Sequence, residues 1–327
     1  MYMIHTLFTY ESLGFDPYQN IATEKLLLES VTPGTCILYL WQNQNTVVIG
    51  RNQNAWAECR TQLLEDEGGK LARRLSGGGA VFHDLGNLNF TFLTDDDSFD
   101  VDKQLSVIQV ALKQFGLDAV KSGRNDLLVE ERKFSGNAFY HSQGNAYHHG
   151  TLLVNANMEK LSRYLTPPKA KLEAKGVSSV RSRVANLSDF NRDITIESLK
   201  QALIAAFSEV YGLPAQALTQ DNQRFQALPQ VTEELSTWQW LYGPKLPFSL
   251  ELEKHFPWGN LQLQLNVSAG VIDNVQVFTD AMDWTLPQQL QAALSGCRFD
   301  RDSIHNALST SLPAEIAQDV TVLLSQV

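Results

Sequence analysis

In the N-terminal third of the chain, apolar residues come in short unbroken runs. Cys36 to Trp41 and Thr46 to Ile49 read as buried strands, the second ending at Gly50-Arg51. Phe82 to Leu93 alternates around Asp84-Leu85-Gly86-Asn87, which predicts a hairpin of two strands about that turn. Helical spacing then takes over. Leu105, Ile108, Leu112 and Phe115, closed by Gly116, and Leu199, Ala202, Leu203, Ala206, Phe207 and Val210, closed by Gly212 and Pro214, predict two helices lying on the sheet. From about Gln226 the periodicity lapses. Pro229, Gly243, Pro244 and Pro247 mark a connection to a second unit, within which Trp238 and Trp240 alternate as packing residues of a half-buried strand. Leu261, Leu263, Leu265 and Val267 then alternate with polar residues, turn at Ser268-Ala269-Gly270 and resume over Val271 to Phe278. Leu286, Leu290, Ala293 and Leu294 take helical spacing up to Gly296. The expected fold is α+β: a large mixed or antiparallel sheet with packed helices over residues 1–245, and a small α+β domain over 246–327 in which nothing looks catalytic.

Composition narrows the function. A chain of 327 residues at 43% hydrophobic and 19% charged can bury one large and one small core. Its 26 basic against 36 acidic residues, net -10, oppose a nucleic-acid binder, which must neutralise phosphates. Cys36, Cys59 and Cys297 are scattered and odd in number, so reduced thiols and a cytoplasmic location are expected. The N-terminus lacks the pattern of an export signal, and no apolar run approaches membrane-spanning length.

The chemistry gathers at Arg73-Arg74-Leu75-Ser76-Gly77-Gly78-Gly79-Ala80-Val81-Phe82-His83-Asp84. Three consecutive glycines let bare backbone N–H groups approach an anion. Neither a Walker loop nor a dinucleotide fingerprint fits, because no Gly-Lys-Ser/Thr follows and Phe82 stands where a glycine is required. A tight turn remains the alternative, although three glycines exceed what a turn requires. Lys133-Phe134-Ser135-Gly136 repeats the basic-apolar-Ser-Gly order of Arg74 to Gly77, so two loops offer a cation and free donors to one phosphate. A basic island in this acidic chain places seven basic residues against two acidic ones between Glu159 and Arg183; Pro167-Pro168 and Gly176 suit a mobile flap over a polyanion. His148 and His149 are adjacent on a strand, point to opposite faces, and do not suggest a structural metal site.

These strings, with Ser122-Gly123-Arg124-Asn125-Asp126, His148-His149-Gly150-Thr151-Leu152-Leu153 and Lys175-Gly176-Val177-Ser178-Ser179-Val180-Arg181-Ser182-Arg183, resemble in order those of the bacterial lipoate-protein ligase A family. Leu75 and Asn137 depart only at positions variable in that family. The resemblance implies a biotin-protein-ligase-like fold and two half-reactions. Lipoate and ATP, with Mg²⁺, give lipoyl-AMP and pyrophosphate; a lysine of an apo lipoyl-carrier domain or glycine-cleavage H protein then displaces AMP. The adenylate set it implies is Arg74, Gly79, Ala80, Val81, Phe82, Asn87, Asp126, Lys133, Ala138, Lys175, Val177, Arg181 and Arg183. The implied lipoate set is Arg73, Arg74, Ser76, Gly77, Gly78, Lys133, Ser135, Gly136 and His149. Bringing a carboxylate against an α-phosphate needs a bridging cation, and Lys133 is the choice for that catalytic role. Three alternatives stand beside this reading. An octanoyltransferase passes its acyl group through a thiol, and no cysteine adjoins these motifs; a biotin ligase carries Gly-Arg-Gly-Arg-x-Gly, which is missing; a mere lipoate binder has no use for Arg74, Lys133 and Lys175 together.

Overall fold

The computed structural model describes every residue except 1–3, 13, 124, 167–183, 220–223, 244–249, 269 and 326–327. The chain runs β1 (Thr6–Glu11), α1 (Pro17–Glu29), β2 (Thr35–Trp41), β3 (Thr46–Ile49), α2 (Ala55–Glu58), α3 (Thr61–Asp66), β4 (Lys70–Arg73), β5 (Val81–His83), β6 (Asn87–Asp95) and α4 (Val101–Lys113). It continues through β7 (Val120–Ser122), β8 (Asp126–Val129), β9 (Arg132–Ser142), β10 (Asn145–Leu153), α5 (Met158–Tyr164), α6 (Ile196–Tyr211), β11 (Ala215–Ala217), α7 (Leu228–Ser236) and α8 (Trp238–Tyr242). The remainder is β12 (Leu250–Phe256), β13 (Gly259–Ser268), β14 (Val271–Thr279), α9 (Leu286–Leu294), α10 (Arg301–Ser309) and α11 (Ala314–Leu324).

Eight strands form one mixed sheet in the order β11-β1-β2-β6-β10-β9-β8-β7, parallel across β11-β1-β2 and antiparallel beyond. Strand alternation gives it two apolar faces. Leu38, Leu40, Phe90, Phe92 and Leu152 pack against Ile108 and Leu112 of α4 and Leu203 and Phe207 of α6, the two helices expected from their spacing. Ile37, Tyr39, Leu93 and Tyr147 on the other face pack against Ile21 and Leu27 of α1 and Val231 and Leu235 of α7. A second sheet, β4-β3-β5, lies on that side over its own core of Val47, Ile49, Leu71 and Phe82.

The α+β expectation and the small C-terminal domain hold; β12-β13-β14 form an antiparallel sheet on which Leu290, Ile304 and Val320 of the last three helices pack. The division between residues 245 and 246 falls outside the described residues. Two local expectations are corrected. β5 and β6 are both strands, yet they do not pair: β5 joins β3 in the small sheet and β6 lies between β2 and β10 in the large one. The turn from Asp84 to Asn87 therefore carries the chain between sheets. Trp238 and Trp240 belong to helix α8, not to a half-buried strand, and the helix is capped by the Thr237 hydroxyl, which accepts from Trp240 N at 3.3 Å; the segment read as an aperiodic connection holds two helices. Among the described residues no helix is long and apolar enough to cross a membrane.

The small domain docks through the segment after β14. Asn52 O accepts from Thr279 N (2.9 Å), Ala281 O from Gly78 N (3.2 Å) and Trp284 O from Asn52 Nδ2 (2.8 Å). The Arg51 guanidinium lies over Trp240 of the large domain (5.2 Å) and Trp284 of the small one (5.6 Å).

Candidate active site

A cavity of about 550 Å³ opens between the two sheets. Its deep wall is Trp41, Val48, His83 and Asn89, all almost wholly buried. Its mouth carries the charge: the Lys133 ammonium meets Asp126 Oδ1 at 2.6 Å, and each side chain is 35% exposed. Gly123, Asn125 and, from the small domain, Asp280 and Met282 complete the rim.

Arg74 enters from the end of β4. Its Nε donates to Ser76 Oγ (3.1 Å) and Gly77 O (3.2 Å), its Nη2 to Gly77 O (2.7 Å) and Gly79 O (2.8 Å), and its Nη1 to Val48 O (3.3 Å). The guanidinium thus folds the glycine loop around itself. Burial lowers its pKa to about 10, so it stays charged at neutral pH. Gly78 has φ +88, which favours glycine, whereas a Cβ on Gly79 would meet nothing within 4 Å. The loop leaves open space there for a ligand.

Lys133 owes its direction to a bulge. The register of β8 against β9 shifts between Leu127 and Leu128, pairing Lys133 with Leu128 and Ser135 with Leu127. The extra residue, Phe134, sinks into the core and puts Lys133 on the same side as Gly136 and Ala138. Lys133 O also accepts from Ala185 N at 2.9 Å, so the chain returns from residues 167–183 beside the lysine.

Of the residues singled out in the sequence, Arg74, Gly78, Gly79, Ala80, Val81, Asp126, Lys133, Gly136, Ala138 and His149 share this one cavity. Others do not reach it. Arg73, one residue along the strand from Arg74, points away and donates to the carbonyls of Trp240, Leu241, Gly50, Arg51 and Gln53, so it knits α8 to the turn after β3. Phe82 alternates to the far face of β5 and packs on Tyr164; only its backbone runs between two lining residues. Asn87 is fully buried and donates to Asn89 Oδ1 (2.8 Å), and Asn89 takes the lining position. The bulge turns Ser135 inward, and Ser76 is covered by Arg74 and His149. Gly77 serves docking: a Cβ there would stand 2.4 Å from Ala281 O. Lys175, Val177, Arg181 and Arg183 lie outside the described residues, as does Arg124.

Sequence reasoning missed Trp41, Val48, His83, Asn89, Gly123, Asn125, Asn137, Gly150, Thr151, Asp280 and Met282. Asn137 has a signal in hindsight, standing directly after Lys133-Phe134-Ser135-Gly136. Its Nδ2 donates to Asn125 O (3.0 Å) and its Oδ1 bonds His148 Nε2 (2.9 Å), holding the Gly123–Asp126 turn against β9. His148 and His149 do face opposite ways, toward Gln104 and Glu24. Burial drives His83 and His148 down to about 3, aided by the Arg74 cation at His83 and by Lys121 at His148, so both are neutral.

The pattern of the lipoyl protein ligase A/B catalytic domain matches residues 16–208, and that of the bacterial lipoate protein ligase C-terminus matches 245–321. The chain is 44% identical over 297 residues to lipoate-protein ligase A of Psychrobacter cryohalolentis, covering 88% of each. Its fold is similar to P. falciparum LipL1 in complex with lipoate, with TM-score 0.86, 30% identity, and 98% of this chain and 100% of that one covered. It is also similar to a lipoate-protein ligase A bound with ATP, with TM-score 0.65, 28% identity, and 74% and 99% covered. A bipartite ligase from Thermoplasma acidophilum, described with its E2 lipoyl domain, aligns with TM-score 0.65 at 29% identity over 76% and 100%. A glycine loop and a lysine converging on one cavity, and sequence likeness across both domains, place this chain in the lipoate-protein ligase A family.

Proposed function

We propose that this cavity performs both half-reactions of ATP-dependent lipoate ligation, with the acyl tail on the deep wall and the reacting carboxylate at the mouth. The observation that carries it is the placement of Arg74, just after β4, and Lys133, on β9, 59 positions apart in sequence, on one cavity whose deep wall includes Trp41 and Val48. Two anions must meet for adenylation, and cations between them lower that repulsion. Lys133 lies where it can touch both the carboxylate oxygen and the α-phosphate, leaving Asp126 as charge accumulates on pyrophosphate. Gly79, Ala80 and Val81 line the part of the cavity where the phosphates and adenosine would lie. The acyl-adenylate is already reactive toward an amine at attack distance, so transfer needs no protein nucleophile.

Mg²⁺ arriving with ATP fits this site. Two carboxylates, Asp126 and Asp280, line the mouth, and the described residues hold no group of three or more metal-ligating side chains. Asp126 and Asp280 would hold such an ion through one or two carboxylate oxygens, with water and phosphate oxygens as its other ligands, and it would supply positive charge beside the pyrophosphate oxygens. We take apo lipoyl-carrier domains and H protein as acceptors, residues 245 and 246 as the domain division, and the cytoplasm as the location. Lys175 to Arg183 would close over the adenylate, and the chain's return at Ala185 beside Lys133 supports that.

A thiol-relay transferase is disfavoured by the cysteines. None lines the cavity, and burial pushes the Cys36 and Cys59 thiols up to about 12. The test is lipoate-dependent exchange of labelled pyrophosphate into ATP, followed by mass spectrometry of an apo lipoyl domain incubated with enzyme, ATP and either lipoate or octanoate. Acyl transfer without ATP, or no exchange, would sink the ligase reading. A tunnel separates these acids by only about 1–3 kcal/mol per methylene-sized difference, so octanoate is expected to serve more weakly.

A further inference from the structure

Glu24, in the middle of α1, is a wholly buried carboxylate to which the chemistry above gives no part. Its Oε1 accepts from Thr91 Oγ1 at 2.7 Å and meets His149 Nδ1 at 2.8 Å; its Oε2 has no hydrogen-bond partner. The opposite nitrogen of the same ring, His149 Nε2, meets Ser76 Oγ at 2.8 Å, and Ser76 Oγ receives Arg74 Nε–H at 3.1 Å. Thr91 Oγ1 accepts in turn from Trp41 Nε1 at 3.0 Å.

Proton counting gives this chain one direction. Trp41 Nε1 and the guanidinium of Arg74 only donate, and an ionised carboxylate only accepts. The Thr91 hydroxyl, already accepting from Trp41, sends its proton to Glu24. His149 sends its Nδ1 proton there too, which leaves Nε2 to accept from Ser76, whose oxygen accepts from Arg74. Every bond is then made with a neutral imidazole. An imidazolium at His149 would turn the Ser76 proton away from Nε2, with Gly77 O at 3.5 Å a poor substitute, and would set a second cation beside a buried guanidinium. Among the described residues Arg74 has no carboxylate within 4.0 Å, yet its charge is buried. A buried charge requires compensation.

We propose that Glu24 is the buried counter-charge of Arg74, coupled to it through neutral His149 and Ser76: a positioning residue that holds the loop's cation charged and in place while the cavity is empty. The mouth repeats this logic directly in Lys133 and Asp126. Among the described residues, the two cations on the cavity, Arg74 and Lys133, thus each have a carboxylate of their own. This rests on the reading of Arg74 as an anion contact.

The sign of one effect separates counter-charge from scaffold. Glu24→Gln keeps the size of the side chain and its acceptor oxygen but deletes the charge, so an anion beside Arg74 is no longer opposed by Glu24. The dissociation constant for inorganic pyrophosphate, measured by calorimetry on the full chain, is expected to tighten roughly tenfold; weaker or unchanged binding overturns the proposal. Unfolding midpoints of Glu24→Gln, Arg74→Gln and the double variant supply the second reading. The double variant should be more stable than the sum of the single losses predicts, because the two charges leave together. Additive losses overturn it. If Glu24→Gln does not fold alone, recovery of folding on adding Arg74→Gln supports the pairing, and failure of both counts against it. On the unmutated protein, ¹⁵N histidine spectra at neutral pH should show His149 as the neutral Nδ1–H tautomer; an imidazolium or Nε2–H form refutes the relay. Should Arg74→Gln bind pyrophosphate as the parent does, the anion role of Arg74 falls, and the stability cycle still decides the coupling to Glu24.

Discussion

Two neighbouring arginines show how far one position along a strand divides roles. Arg73 is anchored by five carbonyl oxygens and Arg74 by the loop it encloses. Arg73→Ala leaves those buried carbonyls without a donor, at about 1–3 kcal/mol for each orphaned group. The expected result is a loss of several kcal/mol in urea unfolding, with pyrophosphate exchange per folded molecule close to normal. A large loss of exchange in fully folded Arg73→Ala would return this residue to the ligand. Lys133→Ala behaves in the opposite way. Its side chain is 35% exposed and its ion pair with Asp126 is worth little to stability. Its removal takes about 3–4 kcal/mol from the transition state, a loss of 10² to 10³ in exchange rate, with circular dichroism unchanged. Exchange within a factor of about three of the parent would remove Lys133 from the chemistry.

At the level of elements, the glycine loop joins the small domain and the cavity, and its members separate the two uses. A Cβ on Gly77 strikes Ala281 O at 2.4 Å and Met282 O at 2.9 Å, both backbone atoms that cannot swing aside. Gly77→Ala should therefore weaken domain docking, lowering unfolding stability by about 1–3 kcal/mol. Gly79→Ala meets nothing within 4 Å and should leave stability within about 0.5 kcal/mol while weakening ATP binding, read by calorimetry. Equal effects of the two substitutions on stability would contradict this division. Much of this was legible in the chain. The helices α4 and α6 announce themselves because one face of each is solvated, so the apolar residues recur at 3.6. Helix α1 does not, because it is covered on both sides and buries Asn20, Thr23 and Glu24 along with its leucines. Trp238 and Trp240 mislead because a two-residue spacing in a five-residue helix is also strand spacing. Arg74 and Lys133 were readable from local strings. Asp280, Met282 and Glu24 were not, since what each does is fixed by partners far away in sequence: Glu24 and His149 stand 125 positions apart.

The molecule as a whole builds its site between two sheets and a docked domain, and this arrangement buries histidines on both faces of the large sheet. His83 lies on the side of the cavity and His148 on the side of α4, both held neutral at about 3 against an ordinary value of 6.5. Linkage then fixes the sign of the pH dependence. Between those values His83 and His148 each bind a proton in the unfolded chain that they refuse in the fold, so the stability these two rings contribute is full above about pH 7 and falls as the solution is acidified through 6.5. At pH 5.5 each histidine has lost about 1.4 kcal/mol, giving a total of about 2–3 kcal/mol relative to pH 7.5. The lowered carboxyls of Asp16 and Asp300 act only further down, below their ordinary 3.8, and leave this window to the histidines. Urea unfolding at the two pH values measures the difference directly, and His148→Gln should roughly halve it, because a glutamine there takes up no proton on unfolding. Equal stability at pH 7.5 and 5.5 would mean that these rings accept protons inside the fold, and that the layers around them are open enough to hydrate a charge.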